Sequence, residues 1–176
     1  LAFPLEPPVE TTNARPMTAR ESALELALRL KAAGHEAFFA GGCVRDKLLG
    51  REPNDYDIAS SATPAQVIKI FPGANEVGAH FGVVIAKHGG HHVEIATFRT
   101  DGSYRDGRRP EKVTFSTPEE DAERRDFTVN GLFERPESGE VIDYVGGAAD
   151  LRAGALRAIA DPVARWSHPR WWIDCV

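Results

Sequence analysis

Ala37-Phe38-Phe39-Ala40-Gly41-Gly42-Cys43-Val44-Arg45-Asp46-Lys47-Leu48-Leu49-Gly50, followed shortly by Asp55-Tyr56-Asp57-Ile58-Ala59, decides the fold. The first stretch opens with a short apolar and aromatic run of the kind a buried strand shows. It breaks at paired glycines and resumes a helical pattern from Val44 to Leu49, which Gly50 closes. Pro53-Asn54 then punctuates the chain, and the second stretch alternates as a strand does. Alternation sends Asp55 and Asp57 to one face, with Cα atoms roughly 6–7 Å apart, while Tyr56 and Ile58 turn to the core.

Upstream, Thr18 and Glu21 form a capping box. Leu24, Ala27, Leu28 and Leu30 then recur at helical spacing until Gly34 offers a left-handed stop. Residues 1–16, rich in proline and threonine, read as a flexible leader. Downstream, Thr63-Pro64 begins a helix through about Phe71. Gly82-Val83-Val84-Ile85-Ala86 and Val93-Glu94-Ile95-Ala96-Thr97-Phe98 flank Gly89-Gly90, the signature of a hairpin with a primed turn. With Val93 and Ile95 inward, Glu94 lies on the opposite face, beside the aspartates if the two strands are neighbours.

The polar stretch from Thr100 to Pro110 exceeds the usual connection of about 4–6 residues and predicts a mobile loop. Val113-Thr114-Phe115 reads as a brief strand. Thr117, Pro118 and Glu120 start a helix carrying Glu119 to Arg125, which leads into Asp126-Phe127-Thr128-Val129-Asn130. Val141-Ile142-Asp143-Tyr144 is the last clear strand, before Gly146-Gly147 and a short helix with Asp150-Leu151.

At 176 residues, 42% apolar and 27% charged, the chain can bury one core and is not compositionally disordered. No apolar run approaches the roughly 20 residues of a membrane span. Cys43 and Cys175 are the two cysteines; their separation indicates neither a disulfide framework nor a structural zinc. These features predict a soluble, cytoplasmic protein without a membrane partner. A net charge of −5 argues against holding nucleic acid by overall field, so any nucleic-acid contact should be local. Arg105, Arg108, Arg109, Lys112, Arg124 and Arg125 form a basic stretch, a pattern that solvated faces also show.

Paired carboxylates on one strand face can grip a divalent cation. Magnesium takes one or two carboxylates plus phosphate oxygens and water, and two-metal sites steady both oxygens of an in-line phosphoryl displacement. An Asp-x-Asp also arises by chance in solvated loops. The Gly41-Gly42 pair has two readings on spacing alone: a tight turn and nothing more, or a bend whose backbone N–H groups approach a triphosphate.

Gly41 to Arg51 and Asp55 to Ala59 resemble the head signature of class II tRNA nucleotidyltransferases (CCA-adding enzymes) and bacterial poly(A) polymerases. Glu94-Ile95-Ala96-Thr97-Phe98-Arg99, Arg124-Arg125-Asp126-Phe127-Thr128-Val129-Asn130 and Asp143-Tyr144-Val145-Gly146-Gly147 continue the resemblance in order, spanning about residues 37–161. The resemblance implies an α+β fold, a polymerase beta-like nucleotidyltransferase head with a mixed, largely antiparallel sheet and helices on one side, over residues 17–160. It further implies Asp55 and Asp57 as catalytic magnesium ligands, Glu94 as a third catalytic carboxylate, and Gly41, Gly42, Arg45 and Asp46 at the triphosphate. Arg125, Asp126 and Asn130 match the motif that contacts the nucleotide sugar, whose hydroxyls an amide and a carboxylate can serve as donor and acceptor. The alternative for this motif is that Asp126 caps a helix and Arg124 or Arg125 pairs with Glu119, Glu120 or Asp121. The Thr100–Pro110 loop resembles the family loop linked to switching between nucleotides; its alternative is an ordinary exposed loop.

The end departs from the pattern. After Asp161-Pro162-Val163-Ala164-Arg165 the family runs into a helix bearing an acidic pair with spaced arginines. Here residues 161–176 read Asp161-Pro162-Val163-Ala164-Arg165-Trp166-Ser167-His168-Pro169-Arg170-Trp171-Trp172-Ile173-Asp174-Cys175-Val176. This predicts a piece lacking the base reader and the RNA-binding neck. The tryptophans suit packing or an unnatural terminus better than a stacking surface for bases. The expected activity is transfer of AMP or CMP from ATP or CTP to an RNA 3′ end. CCA addition to tRNA, A-only addition and poly(A) synthesis all remain open, and the arginine-bearing loop favours tRNA. A noncatalytic nucleotide-binding module derived from the same head is the other class of answer.

Overall fold

A computed structural model describes residues 15–78, 82–101 and 113–159. Nearly all of the predicted leader and the 161–176 segment lie outside them. Helix α1 (Ala19–Ala32) starts where Thr18 Oγ1 accepts from the Glu21 N–H and the Glu21 carboxylate accepts from the Thr18 N–H. It buries Ala23, Leu26, Ala27 and Leu30. Leu28, expected on that face, is instead 42% exposed, because a drift of 100° per residue carries it past the edge of the apolar stripe.

Strand β1 (Ala37–Ala40) is wholly buried and runs into helix α2 (Gly42–Leu48). Strand β2 is shorter than its sequence pattern. Only Ile58–Ser60 is strand, while Asp55, Tyr56 and Asp57 approach it as irregular chain, with Asp57 C=O accepting from the Ala40 N–H. The alternation survives the correction: Tyr56 and Ile58 are buried, and Asp55 and Asp57 are exposed.

Helix α3 (Pro64–Ile70) has the predicted Thr63 N-cap and first-turn proline, and adds an unpredicted capping box with Gln66. Strand β3 (Asn75–Gly78) follows, then β4 (Val83–His88) and β5 (His91–Thr97), joined at Gly89 and Gly90. Both turn glycines have positive φ, +54° and +89°, as a primed hairpin turn requires. Strands β6 (Arg99–Asp101) and β7 (Val113–Phe115) form a separate two-stranded arm. The expected mobile loop therefore starts as paired strand, and its residues 102–110 lie outside the described residues. Helix α4 (Pro118–Glu123), a 3-10 turn (Thr128–Asn130), β8 (Leu132–Glu134), β9 (Val141–Asp143) and α5 (Gly147–Ala153) complete the described chain.

The main sheet has the order β3-β4-β5-β2-β1-β8-β9. Its pairings are antiparallel except β2 with β5, which is parallel. It is thus mixed and largely antiparallel. On one face Phe39, Ile58, Val84, Val93, Ile95 and Leu132 pack with α1 and with Val67 of α3. On the other, Phe38, Ala40, Ala59, Phe98 and Phe133 form a smaller cluster under Ala122 of α4. Phe38, Phe98 and Phe133 meet with ring centroids 6.0–6.4 Å apart, in the range of favourable tilted aromatic contacts. Among the described residues no helix is long and apolar enough to cross a membrane.

Candidate active site

The parallel pairing of β2 with β5 sets Ile58 opposite Ile95. Asp57 and Glu94 each precede that pair by one residue, so they come abreast on the sheet face opposite the α1 core. Glu94 is exposed between buried Val93 and Ile95, on the face its alternation predicts. Asp55 is exposed two residues before Asp57.

These acids feel one another. The Asp57 carboxyl is pushed up to about 6, first by desolvation, then by the charge of Glu94, with Asp55 adding to the rise and Arg125 opposing it. Among the described residues, no three His, Cys, Asp or Glu side chains are grouped as a metal cluster. Like charges resist convergence without a cation between them. The donor set is hard carboxylate oxygen, which suits Mg²⁺ rather than a soft metal.

Gly41 stands at the end of β1 with φ +73° and ψ −127°, a backbone region that disfavours side chains. Space forbids one as well. A Cβ at Gly41 would come within 2.9 Å of Arg125 Nη1, whereas one at Gly42 would make ordinary contact with Arg45 Nη2 at 3.7 Å. The Gly41-Gly42 bend is therefore both a tight turn and a close approach, the approaching group here being an arginine. Helix α2 has seven residues, too short for a strong macrodipole, so arginines supply most of the local positive field.

A polar chain joins the predicted residues. Arg45 Nε donates to Asp46 Oδ1 at 2.9 Å, and Arg45 Nη1 to Asn130 Oδ1 at 2.7 Å. Asn130 Nδ2 donates to Asp126 Oδ1 at 3.1 Å, which also accepts the Phe127 N–H at 2.7 Å. Arg125 Nη1 donates to the Asn130 carbonyl at 3.3 Å, and its guanidinium lies 5.1 Å from the Phe133 ring centroid. Gly41, Arg45, Asp46, Arg125, Asp126 and Asn130 are thus brought together, with Arg125 electrostatically coupled to Asp57.

The pairing alternative for the arginines is also realised: Arg124 and Arg125 both donate to Asp121. Sequence reasoning gave Asp121 no role beyond that pairing. Its signal is the spacing of i,i+3 and i,i+4 to the two arginines. The Asp143-to-Gly147 motif serves the scaffold instead. Asp143 Oδ1 accepts the N–H groups of Val145, Gly146 and Gly147, and its Oδ2 that of Ala148, capping α5. Thr128 donates to Asp150, and with the Arg157 guanidinium it holds that carboxyl below its ordinary range. Cys43 is buried, donates to the Ala40 carbonyl, and is pushed up to about 11 by burial; it stays a protonated thiol and no nucleophile.

Comparison with known proteins gives the same grouping. The Poly A polymerase head domain family matches residues 37–157. The CCA-adding enzyme of Geobacillus thermodenitrificans is 46% identical over 147 residues, 83% of this chain and 36% of the relative. That of Streptococcus mutans is 44% identical over 149 residues, 84% of this chain and 37% of the relative. The structure of the Bacillus stearothermophilus CCA-adding enzyme in complex with CTP superposes with a TM-score of 0.74 at 40% identity, covering 85% of this chain and 36% of that one. A tRNA nucleotidyltransferase complexed with a primer tRNA and an incoming ATP analog gives 0.60 at 32% identity, covering 77% and 39%. The chain spans little more than a third of the curated relatives it matches. Over that third, sequence identity and a shared head architecture agree, and the chain belongs to the poly(A) polymerase head domain family.

Proposed function

We propose that residues 17–160 form the catalytic head of a template-independent RNA nucleotidyltransferase, transferring AMP or CMP from ATP or CTP to an RNA 3′ end, with tRNA as the acceptor. The observation that carries this reading is that Asp57, at the entry to β2, and Glu94 of β5 each immediately precede the parallel pair Ile58–Ile95, on the side coupled to Arg125. The names of the relatives, CCA-adding enzymes and one with a primer tRNA and an ATP analog, support the acceptor and the nucleotides.

In the reaction the RNA 3′ oxygen bonds to the α-phosphorus, the bond from that phosphorus to the bridging oxygen breaks, and pyrophosphate leaves with the electron pair. The 3′ hydroxyl proton passes to solvent. Asp55 and Asp57 would hold Mg²⁺, with Glu94 as the third carboxylate. When bound, Mg²⁺ supplies charge stabilisation for the attacking and leaving oxygens. Arg45, oriented by Asp46, binds the triphosphate beside the Gly41-Gly42 backbone, and Arg125, expected at the sugar with Asp126 and Asn130, sets its Nη1 against the same Gly41 turn. Asp126 and Asn130 offer an acceptor and an amide to the ribose hydroxyls.

The test is incubation of the chain with Mg²⁺, labelled CTP or ATP and tRNA lacking its 3′ terminus. Incorporation that disappears in Asp55→Ala and Asp57→Ala is the expected result. Nucleotide binding without incorporation would instead support a binding module built on the same head.

A further inference from the structure

We propose that Asp121 is a positioning residue for the nucleotide, fixing the Arg125 guanidinium against the Gly41 turn. This rests on the reading of the site as a nucleotidyl-transfer centre. Asp121 is 1% exposed, and a carboxylate so buried is retained only when well paired.

Its two oxygens divide their partners. Oδ2 accepts from Arg125 Nη2 at 3.0 Å and Nε at 3.3 Å. Oδ1 accepts from Arg124 Nε at 2.8 Å and from the backbone N–H of Arg99 at 3.2 Å. One edge of the Arg125 guanidinium is thereby clamped, and its Nη1 is left directed at the Asn130 carbonyl and the space beside Gly41. Phe133 lies against its face. An arginine free of this clamp would lose rotamer freedom on meeting a phosphate, and one already fixed does not.

The Arg99 contact adds a second link. Arg99 begins β6, the first strand of the arm that pairs with β7, so one carboxylate ties the root of that arm to an arginine of the site.

The experiment is a double-mutant cycle on the chain, reading CTP affinity with Mg²⁺ present. Asp121→Asn, Arg125→Gln and the double variant are compared with the unaltered chain, and thermal melts record folding. Asp121→Asn is expected to weaken CTP binding about tenfold, the effect of losing roughly one charge-assisted hydrogen bond. In the Arg125→Gln background it should add less than about twofold, because the two act through one contact. A merely structural carboxylate would give equal losses in both backgrounds. That result, or a folded Asp121→Asn with unchanged affinity, overturns the proposal. Asp121→Glu runs in parallel, and where Asp121→Asn does not fold the same cycle with Glu decides. If the unaltered chain binds no CTP, the functional reading fails and this proposal with it; if it binds CTP but is indifferent to Asp121, this proposal alone fails.

Discussion

Arg45 Nη1 donates to Asn130 Oδ1 across 2.7 Å, bridging 85 residues of sequence. The bond joins the helix after the glycine bend to the 3-10 turn before β8, so the triphosphate side and the sugar side of the proposed site share one hydrogen-bonded chain. The Asn130 amide, held by Arg45 at its oxygen and by Asp126 at its nitrogen, is fixed in orientation. Removing it should blur recognition of the sugar. Asn130→Ala is expected to reduce the preference for CTP over dCTP by about tenfold, measured by competition between the two nucleotides.

Gly41→Ala should harm both fold and site. Positive φ costs about 1–2 kcal/mol for an L-residue, and the new methyl would press on Arg125. Gly34→Ala is the matched comparison, with φ +88° and nothing within 4 Å of the added carbon. Urea unfolding should show both variants destabilised, whereas CTP affinity should fall only in Gly41→Ala.

The Asp143 and Gly147 motif should act on stability without touching the nucleotide. Asp143→Ala uncaps α5 and is expected to cost about 1–2 kcal/mol. Gly147→Ala should cost more, above about 3 kcal/mol, because its Cβ would lie 2.0 Å from the Thr128 carbonyl oxygen, a backbone atom that cannot swing aside. Denaturant melts rank the two.

Asp57 gives the ligand-free protein a pH signature. Its carboxyl rises from 3.8 to about 6 in the fold, so its contribution to stability is intact below about 3.8 and is lost as the pH climbs through 6. Desolvation and then the charges of Glu94 and Asp55 push in this direction, and Arg125 opposes them. Asp57→Asn should therefore raise the melting temperature at pH 8 by about 2–4 °C, the shift of roughly 1 kcal/mol in a domain of this size after discounting for solvent access. At pH 3.5 the gain should vanish. A gain that is equal at both pH values would mean the Asp57 carboxyl is not raised in the fold.

Much of the fold was legible because its signals are local. Thr18 with Glu21 and Thr117 with Glu120 each form the capping box their spacing announces, Thr63 caps α3 ahead of Pro64, and Gly89-Gly90 turns the hairpin. Strand β8 was missed because Leu132–Glu134 has three residues, too few for a periodicity, and owes its place to β1 and β9 on either side. Its Glu134 is buried yet charged, paired with Lys47 at 2.8 Å, and nothing local announces such burial. Asp55 and Asp57 keep their predicted side without the predicted strand, since pairing begins only where β1 and β5 both flank the chain. At the site, residue types and spacing pointed to phosphate chemistry. The neighbours that orient them are long-range, as with Arg45 and Asn130, or hidden among equivalent acids, as with Asp121 beside Glu119 and Glu120.

The most direct test of the account is metal-dependent nucleotide binding, with Mn²⁺ as a spectroscopic stand-in for Mg²⁺. Electron paramagnetic resonance should show Mn²⁺ bound to the chain in the presence of CTP at pH 8, with binding strongly weakened in Asp55→Ala and Asp57→Ala and reduced in Glu94→Gln. Folded variants that bind Mn²⁺ and CTP as tightly as the unaltered chain would contradict the assignment of these carboxylates as the metal site.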